Sequence, residues 1–492
     1  MSEMKSLAKD TAIYGVSSIV GKFLNYLLVP LYTYVLKQTA DYGIVTNLYA
    51  WTALLLVILT YGMETGFFRF ANREDYDAPT VYKTAFTSLL VTSSLFAILV
   101  VAFQHPIAGI LGYPDHAEFI TMMAVTVAID AFACIPFAYL RQQKRPILFA
   151  ALKLLFVVLN IAFNLLFLIV LGKNDVFYVF LSNILATTIQ TLVLLPFTLP
   201  RGGTFDLGVL RQMLRYSLPL LVLGVAGIMN QTLDRILFPY LYTGADAQAQ
   251  LGIYGACFKV ARVMMMFTQA FRYAYEPFVF SKHKDRQSVE AYADAMKYYI
   301  IFSYLILLGV IFYLDIFRYI VSSAYWEGLK IVPVVLWTYV FQGIYFNLSF
   351  WYKLTDETKW GAYFSLIGLV ITLVLQVVFV PIIGYWASCG SSMVCYFVIM
   401  WLSYFIGQKK APIPYDMKRI LGYTALTINL LVVYYALRLY FVHNIWWMMV
   451  IGTGLLAIYV FVLTKLDFPL QDVLRNRRSH GSGRKDRAGA NQ

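Results

Sequence analysis

Charged residues are scarce in this chain: Asp, Glu, Lys and Arg make up 13% of its 492 residues, and 60% are hydrophobic. Soluble domains carry about a quarter charged residues, so this composition excludes a soluble globular protein. Apolar segments of the length that spans a bilayer, roughly 20 residues, recur along the chain. We predict fourteen membrane-spanning helices, at 11–36, 43–68, 84–104, 118–140, 147–171, 176–199, 217–241, 251–280, 298–321, 331–353, 359–383, 385–407, 419–440 and 444–466.

Motifs for enzymatic chemistry are also missing. The sequence has no G-x-x-x-x-G-K-[ST], no G-x-S-x-G and no H-E-x-x-H, and its five histidines are scattered over loops and helix ends. The longest non-cytoplasmic loop, Gln104 to Ala117, is too short for the catalytic groups of a membrane-embedded glycan polymerase or transferase. The four cysteines fall inside apolar spans and are expected to be buried. We therefore predict that the chain is not an enzyme and needs no cofactor and no metal.

The Lys and Arg residues occupy every second gap between the apolar segments. With the N-terminus in the cytoplasm, the cytoplasmic gaps and the C-terminal end contain 28 basic residues and the opposite gaps contain 5. The positive-inside rule then predicts that both termini are cytoplasmic, which requires an even number of spans. The first apolar stretch lacks an evident cleavage site, so we expect no cleaved signal peptide. The net charge of +13 follows from this bias and from a basic tail, so no nucleic-acid partner is predicted.

Similar segments recur about 210 residues apart, which indicates an internal repeat. Pro30 and Pro239 align in LLVPLYTYVL and ILFPYLYTGA, and a Gly-Ile pair follows each proline after 13 residues, at Gly43 and Gly252. A third match joins NLLFLIVLG, starting at Asn164, to QVVFVPIIG further along. Six spans separate the copies, so both copies point the same way across the membrane.

The repeat predicts an all-α integral membrane protein with two six-helix lobes in parallel, an arrangement in which transporters place the substrate site between the halves. The predicted domains are an N-terminal lobe, a C-terminal lobe, an appended helix pair and a basic cytoplasmic tail predicted to be disordered, at 1–200, 201–410, 411–467 and 468–492.

Three stretches of the sequence resemble a known superfamily. They are SLAKDTAIYGVSSIVGKFLNYLLVPLYTYVL at 6–36, DYGIVTNLYA at 41–50 and LGIYGACFKVARVMMMFTQAFRYAYEPFVF at 251–280. Together with the 6+6+2 helix plan, they resemble the polysaccharide-transporter branch, the Wzx-type flippases, of the multidrug/oligosaccharidyl-lipid/polysaccharide superfamily. The resemblance covers most of residues 6–407. It implies a flippase for lipid-linked oligosaccharides.

A few cations lie inside the apolar spans, where a charge costs about 2.5–3.5 kcal/mol and usually faces a cavity or a partner. On the eighth predicted helix, polar side chains recur at three- and four-residue steps, which places them on one face. Amides and cations on the first and seventh helices complete the set. The predicted substrate-binding residues of a central cavity are Lys22, Asn25, Asn230, Gln231, Arg235, Lys259, Arg262, Gln269 and Arg272.

Three carboxylates inside the spans, Glu64, Asp130 and Asp234, are candidates for coupling transport to a proton or sodium gradient. The alternative is internal pairing, for example of Asp234 with Lys259, which would only fix the helices. A surplus of cations in the cavity would suit the diphosphate of a lipid-linked glycan, because Arg and Lys bind phosphate oxygens well.

We therefore predict a multi-pass flippase of a bacterial inner membrane. Its substrate would be a polyprenyl-diphosphate-linked oligosaccharide repeat unit for O-antigen, capsule or exopolysaccharide, moved by alternating access. The expected partners are this lipid-linked substrate and the membrane lipid. The alternatives are a cation-coupled multidrug exporter of the same superfamily, which would prefer an acidic cavity, and a membrane-embedded glycan polymerase or transferase.

Overall fold

The chain folds into packed α-helices. The structure, a computed structural model, describes residues 20–21, 23–281, 286–355, 357–440 and 444–467, and these ranges contain no β-strand. Twelve described helices are long and apolar enough to cross a membrane, or up to thirteen if one bent pair counts as a single span. The predicted all-α membrane fold is thus confirmed, and its count of fourteen is approximate.

The predicted first span, 11–36, lies partly outside the described residues, and so does Lys22. Its described part contains the shorter apolar helix Phe23–Val35. We number the described helices as follows: α1 Leu28–Val35, α2 Thr39–Thr60, α3 Met63–Ala71, α4 Ala78–Ala102, α5 Gln104–Ile110, α6 Ala117–Gln142, α7 Pro146–Asn164, α8 Val176–Thr198, α9 Leu207–Leu241, α10 Ala247–Val260, α11 Arg262–Ser281, α12 Arg286–Phe312, α13 Leu314–Phe317, α14 Val332–Leu348, α15 Phe350–Leu354, α16 Lys359–Ile383, α17 Tyr385–Lys410, α18 Met417–Tyr440 and α19 Ile445–Leu466.

Several of these helices begin at an acidic or amide cap in a loop. The carboxylates of Asp77, Asp175, Asp206 and Asp246, and the amide oxygen of Asn444, each accept a hydrogen bond from a backbone N–H in the first turn of α4, α8, α9, α10 and α19. Such caps satisfy N–H groups that have no partner within the helix, at about 1 kcal/mol each. The caps fix where α4, α8, α9, α10 and α19 begin.

The described chain forms two compact units. The first lies within 1–285 and 318–412 and contains α1 to α11 and α14 to α17, and the second lies within 286–317 and 413–492 and contains α12, α13, α18 and α19. The second unit therefore groups α12, which lies inside the predicted C-terminal lobe, with α18 and α19, the two helices that follow that lobe. The lobe boundaries at 200 and 410 were predicted from the sequence repeat, and they remain a prediction.

In the first unit, α2 and α10 make the most extensive helix–helix contact. Two glycines allow it: a Cβ on Gly43 would overlap the carbonyl oxygen of Gln248, and a Cβ on Gly252 would overlap that of Thr39. Glycine lets two helix backbones approach closely. Gly43 and Gly252 are the glycines that the repeat aligns, so the contact is symmetric. We call it the glycine seam.

Polar contacts reinforce the glycine seam. The Asn47 amide donates to the carbonyl oxygen of Arg235 at 2.7 Å and accepts from the hydroxyl of Tyr113 at 2.9 Å. The Gln248 amide in turn donates to the same Tyr113 hydroxyl at 3.0 Å. These bonds join α2, α9 and α10 to the loop between α5 and α6.

The predicted eighth span is broken. α10 ends at Val260 and α11 begins at Arg262, and their axes differ by 46°. We expected one straight helix over 251–280 with a single polar stripe. A break at membrane depth leaves backbone groups without helical partners, which a bilayer tolerates only where the chain is buried in protein or lines a cavity. The break therefore marks the site described next.

In the second unit, Asp467 joins α12, α18 and α19 at one end. Its carboxylate accepts from the Tyr423 hydroxyl at 2.6 Å, pairs with Arg419 and lies 3.5 Å from the Lys297 ammonium. Burial raises the pKa of this carboxyl, but the bonds from Tyr423 and Arg419 outweigh it and leave the pKa below its ordinary value. The Arg438 guanidinium pairs with Asp315 at 2.9 Å elsewhere in this unit.

Candidate functional site

The first unit encloses a cavity of about 430 Å³. Its walls come from the segment 23–35, α2, α7 to α11, α14 and α17. Of the predicted cavity residues, seven line it: Asn25, Asn230, Gln231, Arg235, Lys259, Arg262 and Gln269. This volume falls in the range of roughly 300–1,000 Å³ that is typical of sites for small molecules.

Among the described residues, three cations contribute to the cavity wall. Arg235 comes from α9, Lys259 from the last turn of α10, and Arg262 from the first turn of α11, so the bend at Ala261 lies between the last two. The wall contains no Asp or Glu among the described residues. The predicted surplus of positive charge is therefore present in the geometry.

Arg235 is partly neutralised. Its guanidinium donates to the Gln231 carbonyl at 2.8 Å, lies 3.4 Å from the Asp234 carboxylate and stacks 4.6 Å from the centre of the Phe258 ring. Because this side chain is 19% exposed, it keeps a face toward the cavity.

Lys259 and Arg262 differ from Arg235. Neither has a salt-bridge partner in the described part of the chain. The Lys259 ammonium lies 5.1 Å from the centre of the Tyr42 ring, a cation–π distance. Two cations at membrane depth without a carboxylate partner leave room for an anion to complete the site.

Asp234 lies behind this wall. Its side chain is 2% exposed, and one oxygen accepts a hydrogen bond from the Tyr254 hydroxyl and lies 3.4 Å from the Arg235 guanidinium. The other oxygen has no hydrogen-bond partner within the described residues. The alternative given above paired Asp234 with Lys259. That pairing is wrong, because Asp234 contacts Arg235 and Tyr254 instead.

The other predicted residues that the structure describes lie away from the cavity wall. Arg272 places its guanidinium 4.9 Å from the centre of the Phe346 ring, about three turns of helix beyond the break. Glu64 pairs with Arg141 at 2.5 Å, and both side chains are half exposed. Asp130 is half-buried in α6, where its nearest charged neighbour of opposite sign is Lys153. Lys22 lies outside the described residues.

Sequence reasoning missed most of the lining that comes from the first half of the chain. Tyr26, Thr46, Tyr49, Asn160 and Asn183 line the cavity from the segment 23–35, α2, α7 and α8. A polar amide inside an otherwise apolar span is another sign of such a site. Asn160 and Asn183 carry that signal in the sequence, but the predicted amides came only from the first, seventh and eighth predicted helices.

Comparison with known proteins identifies the family. The sequence profile of a family described as "Polysaccharide biosynthesis protein" matches residues 7–279, more than half of the chain. The chain belongs to this family. No curated protein matches its sequence.

Solved structures share the fold. The lipid II flippase MurJ in an inward closed conformation matches with a TM-score of 0.73 at 13% identity, over 92% of this chain and 99% of that one. An inward-facing multidrug resistance MATE family transporter of the MOP superfamily matches at 0.60 and 12% identity, over 82% and 94%. The MATE multidrug transporter DinF-BH matches at 0.58 and 15%, over 81% and 96%.

Family and fold together confirm the resemblance seen in the sequence. The protein is a member of the polysaccharide biosynthesis family with helices for many membrane spans, and it shares its fold with MurJ and the MATE transporters. The solved structures that share this fold are those of a lipid II flippase and of multidrug transporters.

Proposed function

We propose that this protein translocates polyprenyl-diphosphate-linked oligosaccharide repeat units across the bacterial inner membrane by alternating access, for O-antigen, capsule or exopolysaccharide synthesis. The polysaccharide family supports the glycan class of the substrate. The fold shared with a lipid II flippase supports a lipid-linked head group. Both termini are proposed to lie in the cytoplasm, as the distribution of basic residues predicts.

One observation carries the proposal: Arg235, Lys259 and Arg262 line a cavity whose described wall contains no carboxylate. Lys259 and Arg262 have no carboxylate partner among the described residues, and unpaired cations in a bilayer are costly and usually mark a functional site. A diphosphate compensates them, and Arg binds its oxygens in a planar two-point geometry that Lys lacks. The glycan would then occupy the remaining polar volume while the polyprenyl chain stays in lipid.

The same observation argues against a multidrug exporter of the same superfamily. A cationic drug in this cavity would meet like charges on Arg235, Lys259 and Arg262. Like-charge juxtaposition in an interface costs several kcal/mol. The cavity therefore favours an anionic ligand.

For the driving force we propose a proton or sodium gradient acting on a buried carboxylate. Asp234 is the candidate nearest the cations, because it contacts Arg235 and is shielded from the cavity. A change in its charge would alter the charge available on Arg235. Asp130 and Glu64 are the other candidates, and Glu64 is engaged by Arg141.

Deleting the gene in its host tests the proposal. We expect surface polysaccharide to be lost and lipid-linked repeat units with complete glycans to accumulate at the cytoplasmic face, and re-expression should reverse both. Mass spectrometry of the lipid extract gives the intermediate, and antibody or lectin staining gives the surface glycan. Unchanged surface glycan together with new sensitivity to drugs would contradict the proposal and favour the exporter.

A further inference from the structure

The described lining of the cavity differs in charge between the two halves of the chain. Its three cations come from α9, α10 and α11, which belong to the second predicted half and also contribute the amides of Asn230, Gln231 and Gln269. The described part of the wall from the first half, formed by the segment 23–35, α2, α7 and α8, contributes amides, phenols and a hydroxyl and no charge. We call this surface the amide wall and define it by Asn25, Tyr26, Tyr49, Asn160 and Asn183.

Hydrogen bonds within the amide wall hold its side chains in place. The Asn183 amide donates to the Tyr49 hydroxyl at 3.2 Å, and the Asn160 amide donates to Asn25 Oδ1 at 3.4 Å. Asn164, one turn further along α7, donates to Asn160 Oδ1 at 3.1 Å. A polar group that is positioned in this way is prepared to bind a ligand with little further loss of conformational entropy.

Some hydrogen-bond donors and acceptors of the amide wall are not used by these bonds. An amide has two donors and an acceptor with two lone pairs, and a phenol both donates and accepts. Among the described residues, the Asn25 amide hydrogens, Asn183 Oδ1 and the Tyr49 hydroxyl hydrogen have no protein partner. The amide wall therefore offers both donors and acceptors toward the cavity.

From this arrangement we infer that the amide wall binds the first sugar ring of the lipid-linked substrate, while the cations bind the diphosphate. The inference rests on the proposed function. Sugar hydroxyls need neighbouring donors and acceptors, which amides supply, and a phenol ring such as that of Tyr26 or Tyr49 can lie against the apolar face of a ring. The diphosphate is attached directly to the first sugar, so the two walls meet adjacent parts of one molecule.

The assignment gives the amide wall the role of a specificity determinant. A site built to hydrogen-bond a substrate hydroxyl discriminates strongly against a ligand that lacks it, because its own polar groups are then left unpaired. The cations cannot supply this selectivity, because every polyprenyl diphosphate presents the same phosphate oxygens. Loss of the amide wall should therefore weaken binding of the sugar-bearing lipid alone.

Binding measurements on the purified full-length protein in lipid nanodiscs separate the walls. The probes are undecaprenyl diphosphate and the same lipid carrying one galactose, one glucose or one N-acetylglucosamine. The variants are Asn183→Leu and Tyr49→Phe in the amide wall and Arg262→Gln among the cations. Asn429→Leu is the control, because Asn429 is an exposed amide on α18 that binds only its own helix, at the Ala425 carbonyl.

We expect the unaltered protein to bind at least one sugar-bearing lipid about tenfold more tightly than the bare lipid. Asn183→Leu and Tyr49→Phe should remove most of that advantage and leave affinity for the bare lipid unchanged, whereas Arg262→Gln should weaken both ligands. Asn429→Leu should change neither affinity. Tyr49→Phe keeps the ring, so it reports on the hydroxyl even if Asn183→Leu fails to fold.

Two results would overturn the inference. One is an unaltered protein that shows no preference for any of the three sugars over the bare lipid. The other is an equal loss of affinity for bare and sugar-bearing lipids in the amide-wall variants. A protein that binds none of the four lipids would instead refute the proposed function.

Discussion

At the scale of single residues, Arg262 carries the clearest expectation. We expect Arg262→Ala to reduce glycan export by about tenfold or more, the size of a lost charge-assisted hydrogen bond, while the protein still inserts in the membrane. Arg262→Lys should keep part of the activity, because the charge survives and the planar fork does not. Export is measured in a strain lacking its own copy. Full export by the alanine variant would remove Arg262 from the substrate site.

Variants of Asp234 and Lys259 distinguish a structural ion pair from a contact with the substrate. Asp234→Asn leaves the partly buried Arg235 guanidinium without its counter-charge, so it should destabilise the protein by up to about 3 kcal/mol, the lower end of the cost for a fully buried pair. Lys259→Met should leave stability nearly unchanged, because Lys259 has no described carboxylate partner, but should abolish export.

The double variant Asp234→Asn, Lys259→Met gives the decisive comparison. We expect it to be as unstable as Asp234→Asn alone and inactive. Thermal unfolding in detergent and export in cells are measured for all three variants. Recovery of both stability and export in the double variant would show that Asp234 and Lys259 form a structural pair after all.

The sequence predicted how far along a span each charged residue lies, but it predicted only in part which of them face the cavity. The regular spacing of polar residues on the eighth predicted helix placed Gln269 on the same face as Arg262, and both line the cavity. The same spacing predicted Arg272, which instead stacks on Phe346. A polar face of a helix can continue past the end of a cavity, and the sequence does not show where the cavity ends.

At the scale of helices, the glycine seam between α2 and α10 is the feature most sensitive to substitution. Gly43→Val places a side chain where the Gln248 carbonyl oxygen already lies, so the helices must separate. Overpacking of this kind costs about 3 kcal/mol. We expect a lower unfolding temperature and loss of export.

Gly390→Ala is the matched control for this substitution. It changes a helical glycine whose added Cβ would have no atom within 4 Å, so its unfolding temperature and export should match those of the unaltered protein. A Gly43→Val variant as stable as Gly390→Ala would show that the seam tolerates separation.

The helix break at Ala261 could not be predicted. The sequence from Lys259 to Met264 contains neither proline nor glycine, the residues that usually bend a helix. The bend must therefore come from packing around the cavity, which no local pattern reports. The spans themselves were predictable, because bilayer thickness dictates their length.

At the scale of the whole molecule, the distribution of basic residues predicts an orientation that labelling can check. In a protein whose four native cysteines are replaced by alanine, Asp115→Cys lies in a loop predicted to be periplasmic, and Lys144→Cys lies in one predicted to be cytoplasmic. Positions in 242–250 should react with the reagent like position 115, and positions in 282–297 should react like position 144. A membrane-impermeant thiol reagent added to intact cells should label position 115 and not position 144.

Permeabilised cells provide the control for both positions, since each should then react. Labelling of position 144 from outside intact cells would contradict the predicted orientation.

The way in which Gly43 meets Gly252 also says something about ancestry. In a symmetric homodimer, residues near the two-fold axis contact the same residue of the partner. Here the two glycines that the repeat aligns lie against each other, and each faces the carbonyl oxygen four residues before the other. Such a contact is expected when the genes of two identical subunits are joined. The six-helix precursor would then have worked as a pair, and the cations that the described second half contributes to the cavity would have arisen only after the fusion freed each copy from having to match itself.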